Sequence, residues 1–305
     1  MGNYIVPSLY LEIPLSSRCH DGVMRNAQRV ILALLAATVL LSLWASMRVS
    51  HQEMLEVYVL DVGQGDAIYV RTPSGRDMLV DGGRSVSVLR RLSEIMPWDD
   101  RFIDVVVATH PDADHIGGLP PVLGRYGIGV FVEPGIESGN FIDDEVHRLL
   151  LERGVQSILA RRGMVIDFGD GALFDILHPE GDVSNLRDTN DASIVGMMRF
   201  GSTSVMLTGD APQSVERQIL SLDGMSLSSE VLKAGHHGSR TSSAEAFVRA
   251  VNPRWAVISA GKDNTYHHPH EEAVGLFRRL GIEIVRTDES GTISFISDGS
   301  SFRRK

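Results

Sequence analysis

Within six consecutive positions, His110-Pro111-Asp112-Ala113-Asp114-His115, the chain places two imidazoles and two carboxylates. These side chains hold divalent cations of hard and borderline character. One ion does not need four side chains from a single short loop, so the density points to a two-metal site. The competing reading is a solvated acidic turn with incidental histidines. Two adjacent cations would lower the pKa of a shared water to near neutrality and neutralise charge on an attacked phosphoryl or acyl oxygen.

The elements around this loop favour the metal reading. Asp104-Val105-Val106-Val107-Ala108 is a short β-branched run that predicts a buried strand ending at Thr109. Two glycines and two prolines follow His115 within six residues, so the ligands sit on a turn at a strand's end. The same arrangement recurs downstream. Ser204 to Thr208 is strand-like and ends in Gly209-Asp210, and Val231 to Ala234 ends in Gly235-His236-His237-Gly238-Ser239. Asp175-Ile176-Leu177 runs into His178-Pro179, and Tyr266-His267-His268-Pro269-His270 separates a strand-like Ala256–Ser259 from a helical 271–280. Of 11 histidines, only His20, His51 and His147 lie elsewhere. The single cysteine, Cys19, excludes a disulfide framework and a thiolate metal site, so any metal is held by His and Asp.

The order His-x-Asp-x-Asp-His, Thr-Gly-Asp, Gly-His-His-Gly-Ser resembles the metallo-β-lactamase superfamily, and within it the C-terminal hydrolase domain of ComEC-type competence DNA-uptake proteins. Leu60-Asp61-Val62-Gly63-Gln64-Gly65-Asp66-Ala67, Asp81-Gly82-Gly83 and Arg286-Thr287-Asp288 with Gly291 carry the same resemblance, which spans roughly residues 55 to 297. It implies a four-layer αββα sandwich; periodicity alone gives only mixed α/β. It also implies that His110 and Asp112 bind one metal, that Asp114 and His115 bind the other, and that Asp210 bridges them. The aspartate at position 112, where histidine is usual in the superfamily, hardens that site and makes manganese a rival to zinc. His236, nearest the strand end, is the expected late ligand, with His237 an outer partner or proton donor. The superfamily's middle histidine has no clear match; His178, Asn190 and Asp191 are candidates. Asp114 or Asp112 would hold the nucleophile, while Lys233, Ser239, or a histidine such as His268 or His270 would meet the leaving oxygen. Ser239 also reads as a turn cap and Lys233 as a rim charge.

Strand signals occur at 56–60, 67–71, 78–80 and 105–109, then near Phe174, at 194–200 and 205–207, and near Val231, Val257, Ile284 and Ile293. Helices are expected over 86–96, 142–152, 212–220, 243–251 and 271–280. The hydrolase domain should occupy residues 51–305.

Residues 30–47 are 18 positions without a charge, bracketed by Arg29 and Arg48. That length just spans a bilayer core, and Arg18, Arg25 and Arg29 would keep the N-terminus cytoplasmic and the domain outside. A cleaved signal segment, giving a secreted domain, and a buried core helix are the rival readings. Residues 1–29 form an N-terminal segment without clear pattern, in which Met24 is an alternative start.

The first 50 residues carry four basic and two acidic side chains, leaving 25 basic and 37 acidic in the rest, a net of −12. A protein that gripped long duplex DNA by its general field would be basic. Polyanion binding must therefore rest on the metals and a local patch, with Arg84, Lys233, Arg240 and Lys262 as candidates. The leading function is a metal-dependent phosphodiesterase acting on DNA, partnered by a separate channel protein, since one span cannot form a channel. The alternatives are hydrolysis of a non-phosphate ester, lactone or thioester, and a non-catalytic membrane-anchored binding module.

Overall fold

The computed structural model describes residues 18–49 and 54–305. Residues 1–17 of the N-terminal segment, and 50–53 with His51, lie outside them. The chain divides into two units, residues 1–51 and 52–305.

The first unit contains one helix, α1 (Arg18–Val49), which includes the uncharged run 30–47. Its described side chains, those of residues 28–44, are exposed. That stretch is shorter than the run read from the sequence, and among the described residues no helix is long and apolar enough to cross a membrane. The anchor expected from the sequence thus has a helix but no membrane span to match it.

The second unit is built on two mixed sheets. The first begins with β1 (Leu55–Val59), β2 (Ile68–Arg71), β3 (Asp77–Val80), β4 (Phe102–Val107), β5 (Gly127–Glu133) and β6 (Gln156–Leu159). The second holds β7 (Val165–Asp167), β8 (Ala172–His178), β9 (Val195–Phe200), β10 (Thr203–Leu207), β11 (Val231–Lys233), β12 (Trp255–Ile258) and β13 (Glu283–Arg286). β14 (Ile293–Ser297) and β15 (Phe302–Arg304) return to the first, whose order is β15-β14-β1-β2-β3-β4-β5-β6. Each sheet is antiparallel on one side and parallel on the other, the parallel parts being β3 to β6 and β10 to β13.

Side-chain alternation explains the layers. Along β4, Val105 and Val107 face the other sheet while Val106 between them faces helices. Along β12, Trp255 and Val257 face the inter-sheet core, while Ala256 and Ile258 face outward onto helices. A strand buried on both faces reads as a continuous apolar run, as these do. The first sheet is covered by α2 (Ser87–Ile95), α4 (Leu119–Arg125) and α5 (Phe141–Arg153), through Leu92, Val122 and Leu150 among others. The second is covered by α6 (Gln213–Asp223), α7 (Glu245–Val251) and α8 (Glu271–Arg279), through Ile219, Phe247 and Phe277. Each such buried side chain contributes roughly 1.5–3 kcal/mol. Three cores between four layers make an αββα sandwich.

The expected strands and helices appear within a few residues of their limits, but four strands were not anticipated. β5 carries two glycines, β6 and β7 are largely exposed, and β15 has a single buried residue, so none shows strong periodicity. α4 hides in Leu119-Pro120-Pro121, which reads as a turn; the prolines occupy the helix's first turn, where no N–H is required.

Candidate metal centre

Parallel strands leave their carboxyl ends on one side of a sheet, and the ligand-bearing loops follow β3, β4, β10, β11 and β12 there. After β4, Thr109 and His110 lead into Asp112, which precedes the single-turn α3 (Ala113–Ile116) carrying Asp114 and His115. After β10 comes Asp210, and after β11 come His236 and His237. Both histidines adopt left-handed backbone, with φ of 49° and 55°, folding the chain back so that two successive imidazoles meet one carboxylate.

Asp210 is the hub. Its Oδ1 lies 3.3 Å from His115 Nε2, and its Oδ2 lies 3.6 Å from His236 Nε2 and 3.4 Å from His237 Nε2. His237 Nε2 is also 3.4 Å from Asp114 Oδ2. His110 Nε2 lies 3.8 Å from Asp112 Oδ2, and the His110 and His115 rings are 4.1 Å apart. His110, His115, Asp210 and His237 are buried, yet His110 Nε2, His115 Nε2, His237 Nε2 and Asp210 Oδ1 make no hydrogen bond. Buried polar atoms without partners are rare and costly. Imidazole nitrogens and a carboxylate oxygen orphaned around one point are the donor set of a divalent cation, so the residues fit the metal the sequence implies.

The outer nitrogens are accounted for. His115 Nδ1 lies 2.7 Å from Asp81 Oδ2, and Asp81 also accepts from Thr109 N and Thr109 Oγ1, both at 2.8 Å. His110 Nδ1 is 3.0 Å from Thr109 Oγ1. His237 Nδ1 lies 3.0 Å from the Ser259 carbonyl and 3.3 Å from Asp66 Oδ1. Each ring therefore turns its Nε2 inward. Asp66, His115, Asp210 and His237 each bring one ligand atom within 4.8 Å of the others. Of these, Asp66 is the outer one, because its oxygens face Lys233 and His237 Nδ1.

Burial dominates the electrostatics of His110, pushing its pKa down to about 3, with neighbouring His115 adding to the effect. Burial would also lower His115 and His237, but Asp210 with Asp81 and Asp66 outweighs it and raises both well above the ordinary value. Asp210 is driven the other way: burial raises it, yet His237 and His115 hold it well below the usual carboxylate range. Carboxylates gathered this closely demand positive charge.

Several expected residues stand elsewhere than foreseen. His237, not His236, makes the tighter approach. His236 has 27% of its side chain exposed and its Nδ1 is 3.2 Å from Thr241 Oγ1. Lys233, expected at the leaving oxygen or the rim, is 1% exposed with its ammonium against Asp66, so it does not reach the mouth of the site. Ser239 is buried and bonded to Thr241, in keeping with a turn cap. His270 Nδ1 accepts from Arg240 N at 3.1 Å, and the Arg240 side chain is exposed.

Among the candidates for a middle ligand, His178 Nε2 is 3.2 Å from the Asp191 carbonyl, away from the cluster, and burial lowers its pKa to about 4. Asn190 has a buried Oδ1 without a partner, and its turn touches the metal loop through Thr189 Oγ1 donating to Asp112 Oδ1 at 2.6 Å. His268 lies 5.3 Å from the His236 ring, stacked with Tyr266, on the edge of a cavity of about 710 Å³ that Lys262 also lines.

Asp66 and Asp81 lie in motifs that carry the family resemblance but were given no role at the site. The available signal was an acid placed beside turn-forming glycines at a strand end, the same pattern that marks Asp210.

Residues 60–262 match the metallo-beta-lactamase superfamily model. The chain is 32% identical over 262 residues to ComE operon protein 3 of Bacillus subtilis (strain 168), covering 79% of this chain and 33% of that protein. It is 35% identical over 243 residues to competence protein ComA of Neisseria gonorrhoeae, covering 78% and 32%. The chain thus spans about a third of the length of these curated relatives. Among solved structures, the metallo-beta-lactamase fold protein YhfI from Bacillus subtilis superposes with a TM-score of 0.54 at 15% identity, covering 80% of this chain and 99% of that one, a likeness of fold.

Proposed function

The chain belongs to the metallo-beta-lactamase superfamily, and from that premise we propose that it is a metal-dependent phosphodiesterase acting on DNA. The observation that carries this reading is the set of buried, unpartnered ligand atoms around Asp210. A module that only bound a partner would have no need to keep them.

Five carboxylates gather here, Asp66, Asp81, Asp112, Asp114 and Asp210, with Lys233 the only buried lysine or arginine among the described residues. With His115 and His237 neutral as ligands, two divalent ions together with this lysine match their charge, which supports two metals over one. His110, Asp112 and Asn190 would hold the first, Asp114, His115 and His237 the second, with Asp210 shared. Oxygen ligands at Asp112 and Asn190 favour manganese beside zinc. When bound, such ions activate water and neutralise developing charge on a phosphoryl oxygen.

The protein's own groups do the rest. Asp114, 20% exposed, orients the attacking water from the open side. His236, near Asp210 but turned partly to solvent, hydrogen-bonds the leaving oxygen, which takes its proton from solvent, and His268 beside it bounds the cavity into which the substrate's flank extends. One of the named relatives is a competence protein, which supports DNA as the phosphodiester. The charge-free run 30–47 behind Arg18, Arg25 and Arg29 favours, by the positive-inside rule, a membrane-associated protein with this domain outside the cytoplasm, working beside a separate channel protein.

The test is a substrate panel with manganese or zinc: bis(p-nitrophenyl) phosphate and a single-stranded oligonucleotide against p-nitrophenyl acetate, a thioester and a lactone. Turnover confined to the phosphodiesters is expected. Turnover confined to the carboxylic esters would sink the reading.

A further inference from the structure

Two features of the sequence have no place in that mechanism, the Gly63-Gln64-Gly65-Asp66 turn and Lys233. The fold brings them together. Asp66 lies just before β2 in the first sheet, and Lys233 ends β11 in the second. Both are 1% exposed, and the lysine ammonium contacts Asp66 Oδ2. Burying two charges is costly, and apolar residues of similar volume usually serve the fold as well or better. Something other than packing needs a carboxylate at this point.

That need is His237 Nδ1, which lies 3.0 Å from the Ser259 carbonyl and 3.3 Å from Asp66 Oδ1, so that the carboxylate reinforces the carbonyl behind a ring whose Nε2 faces Asp114 and Asp210. A carboxylate behind a ligand histidine fixes its orientation and keeps the proton on the outer nitrogen. His115 has the same support from Asp81, whose charge is spread over two donors of Thr109. Asp66 has no such pair of donors from a neighbouring residue. Left alone it would add a bare negative charge beside Asp114 and Asp210, and Lys233 offsets it. The turn is also locked to the metal loop: Asp66 N donates to the Asp114 carbonyl at 3.3 Å, and Ser259 Oγ donates to the Gly65 carbonyl at 2.8 Å.

We propose that the Lys233–Asp66 pair is a positioning device, in which a lysine of the second sheet neutralises a carboxylate of the first so that this carboxylate aims His237 Nε2 at the metal. The proposal rests on the metal reading of the cluster and removes Lys233 from contact with substrate.

The test is a double-mutant cycle on metal affinity in the full chain, with Lys233→Met, Asp66→Asn and the double variant. Cobalt(II) is the probe, read by competition titration and by its visible absorption spectrum, beside thermal unfolding of the metal-free proteins. Asp66→Asn should weaken cobalt binding about 10–100-fold and alter the spectrum, as loss of an outer partner of a ligand histidine does. Lys233→Met should weaken it at least as much. The double variant should bind no worse than Asp66→Asn alone, because the lysine acts only through the aspartate. Asp66→Asn keeps the side chain's shape, so it serves if Lys233→Met fails to fold. Unchanged affinity and spectrum with a lowered unfolding temperature would make the pair plain architecture and overturn the proposal. A wild-type protein that binds no cobalt, zinc or manganese would overturn the metal reading itself, and this inference with it.

Discussion

At the scale of the residue, the site is defined by which nitrogen of each imidazole points inward. His115 and His237 turn Nε2 toward Asp210 because acceptors stand behind Nδ1 in each case, Asp81 for His115 and the Ser259 carbonyl with Asp66 for His237. Asp81→Asn should therefore lower metal affinity about 10–100-fold, measured by competition titration, while leaving the ligands themselves in place. Asp210→Asn should do far worse, since both oxygens serve the cluster, and should abolish cleavage. The metal loop was legible because its ligands are adjacent in sequence. The roles of Asp66 and Asp81 were not, because their partners lie 171 and 34 positions away and only the fold joins them. His237 rather than His236 comes nearer Asp210, and the two successive left-handed residues that bring this about leave no mark in the sequence.

At the scale of the element, the turn before β2 and the helix α5 give two separate tests. Gly65 has φ of +112°, and a Cβ there would lie 1.9 Å from the Asp114 carbonyl oxygen. Gly65→Ala must displace the metal loop, because neither party is the end of a flexible side chain. We expect metal stoichiometry to fall, with destabilisation of at least about 1–3 kcal/mol from the strained backbone alone, read by denaturant unfolding. On the opposite side of the first sheet, His147 of α5 lies 2.8 Å from Glu133 of β5. The hydrogen bond to Glu133 raises His147 to about 9, and Glu133 is lowered in turn, since burial, which raises it, is outweighed by the bonds from His147 and Ser157 together with the histidine's charge. A raised histidine contributes stability that is complete below its ordinary value near ~6.5 and is lost as pH climbs through about 9. The lowered glutamate contributes above its own ordinary value and loses that contribution in acid. His147→Ala should therefore unfold at a lower temperature than wild type near pH 6, with the difference closing above about pH 9. The cost should stay below about 1 kcal/mol, because the imidazole is 43% exposed. The strands that position the site were readable in the sequence, being buried on both faces. The exposed edges β6 and β7 were not, since an edge with few buried residues leaves little apolar pattern.

At the scale of the whole molecule, two sheets of similar build set their parallel strand ends around one acidic pocket, and the charge of residues 51–305 is −12. Long-range attraction of a polyanion is then weak, and affinity must come from contacts at the site. The KM for an oligonucleotide should accordingly rise only gently with salt, well short of the ~10³–10⁵ loss between 50 and 200 mM that six to ten phosphate contacts would give. A steep dependence would call for a concentrated basic patch in spite of the net negative charge. The central claim is that metal held around Asp210 cleaves phosphodiesters. The measurement that meets it most directly is metal content and single-stranded DNA cleavage on the same full-chain preparation, with Asp210→Ala beside it. We predict two divalent ions per chain, cleavage that follows their occupancy, and loss of both in the variant. Two bound ions without cleavage would contradict the phosphodiesterase account, and cleavage that survives in Asp210→Ala would contradict the assignment of the site.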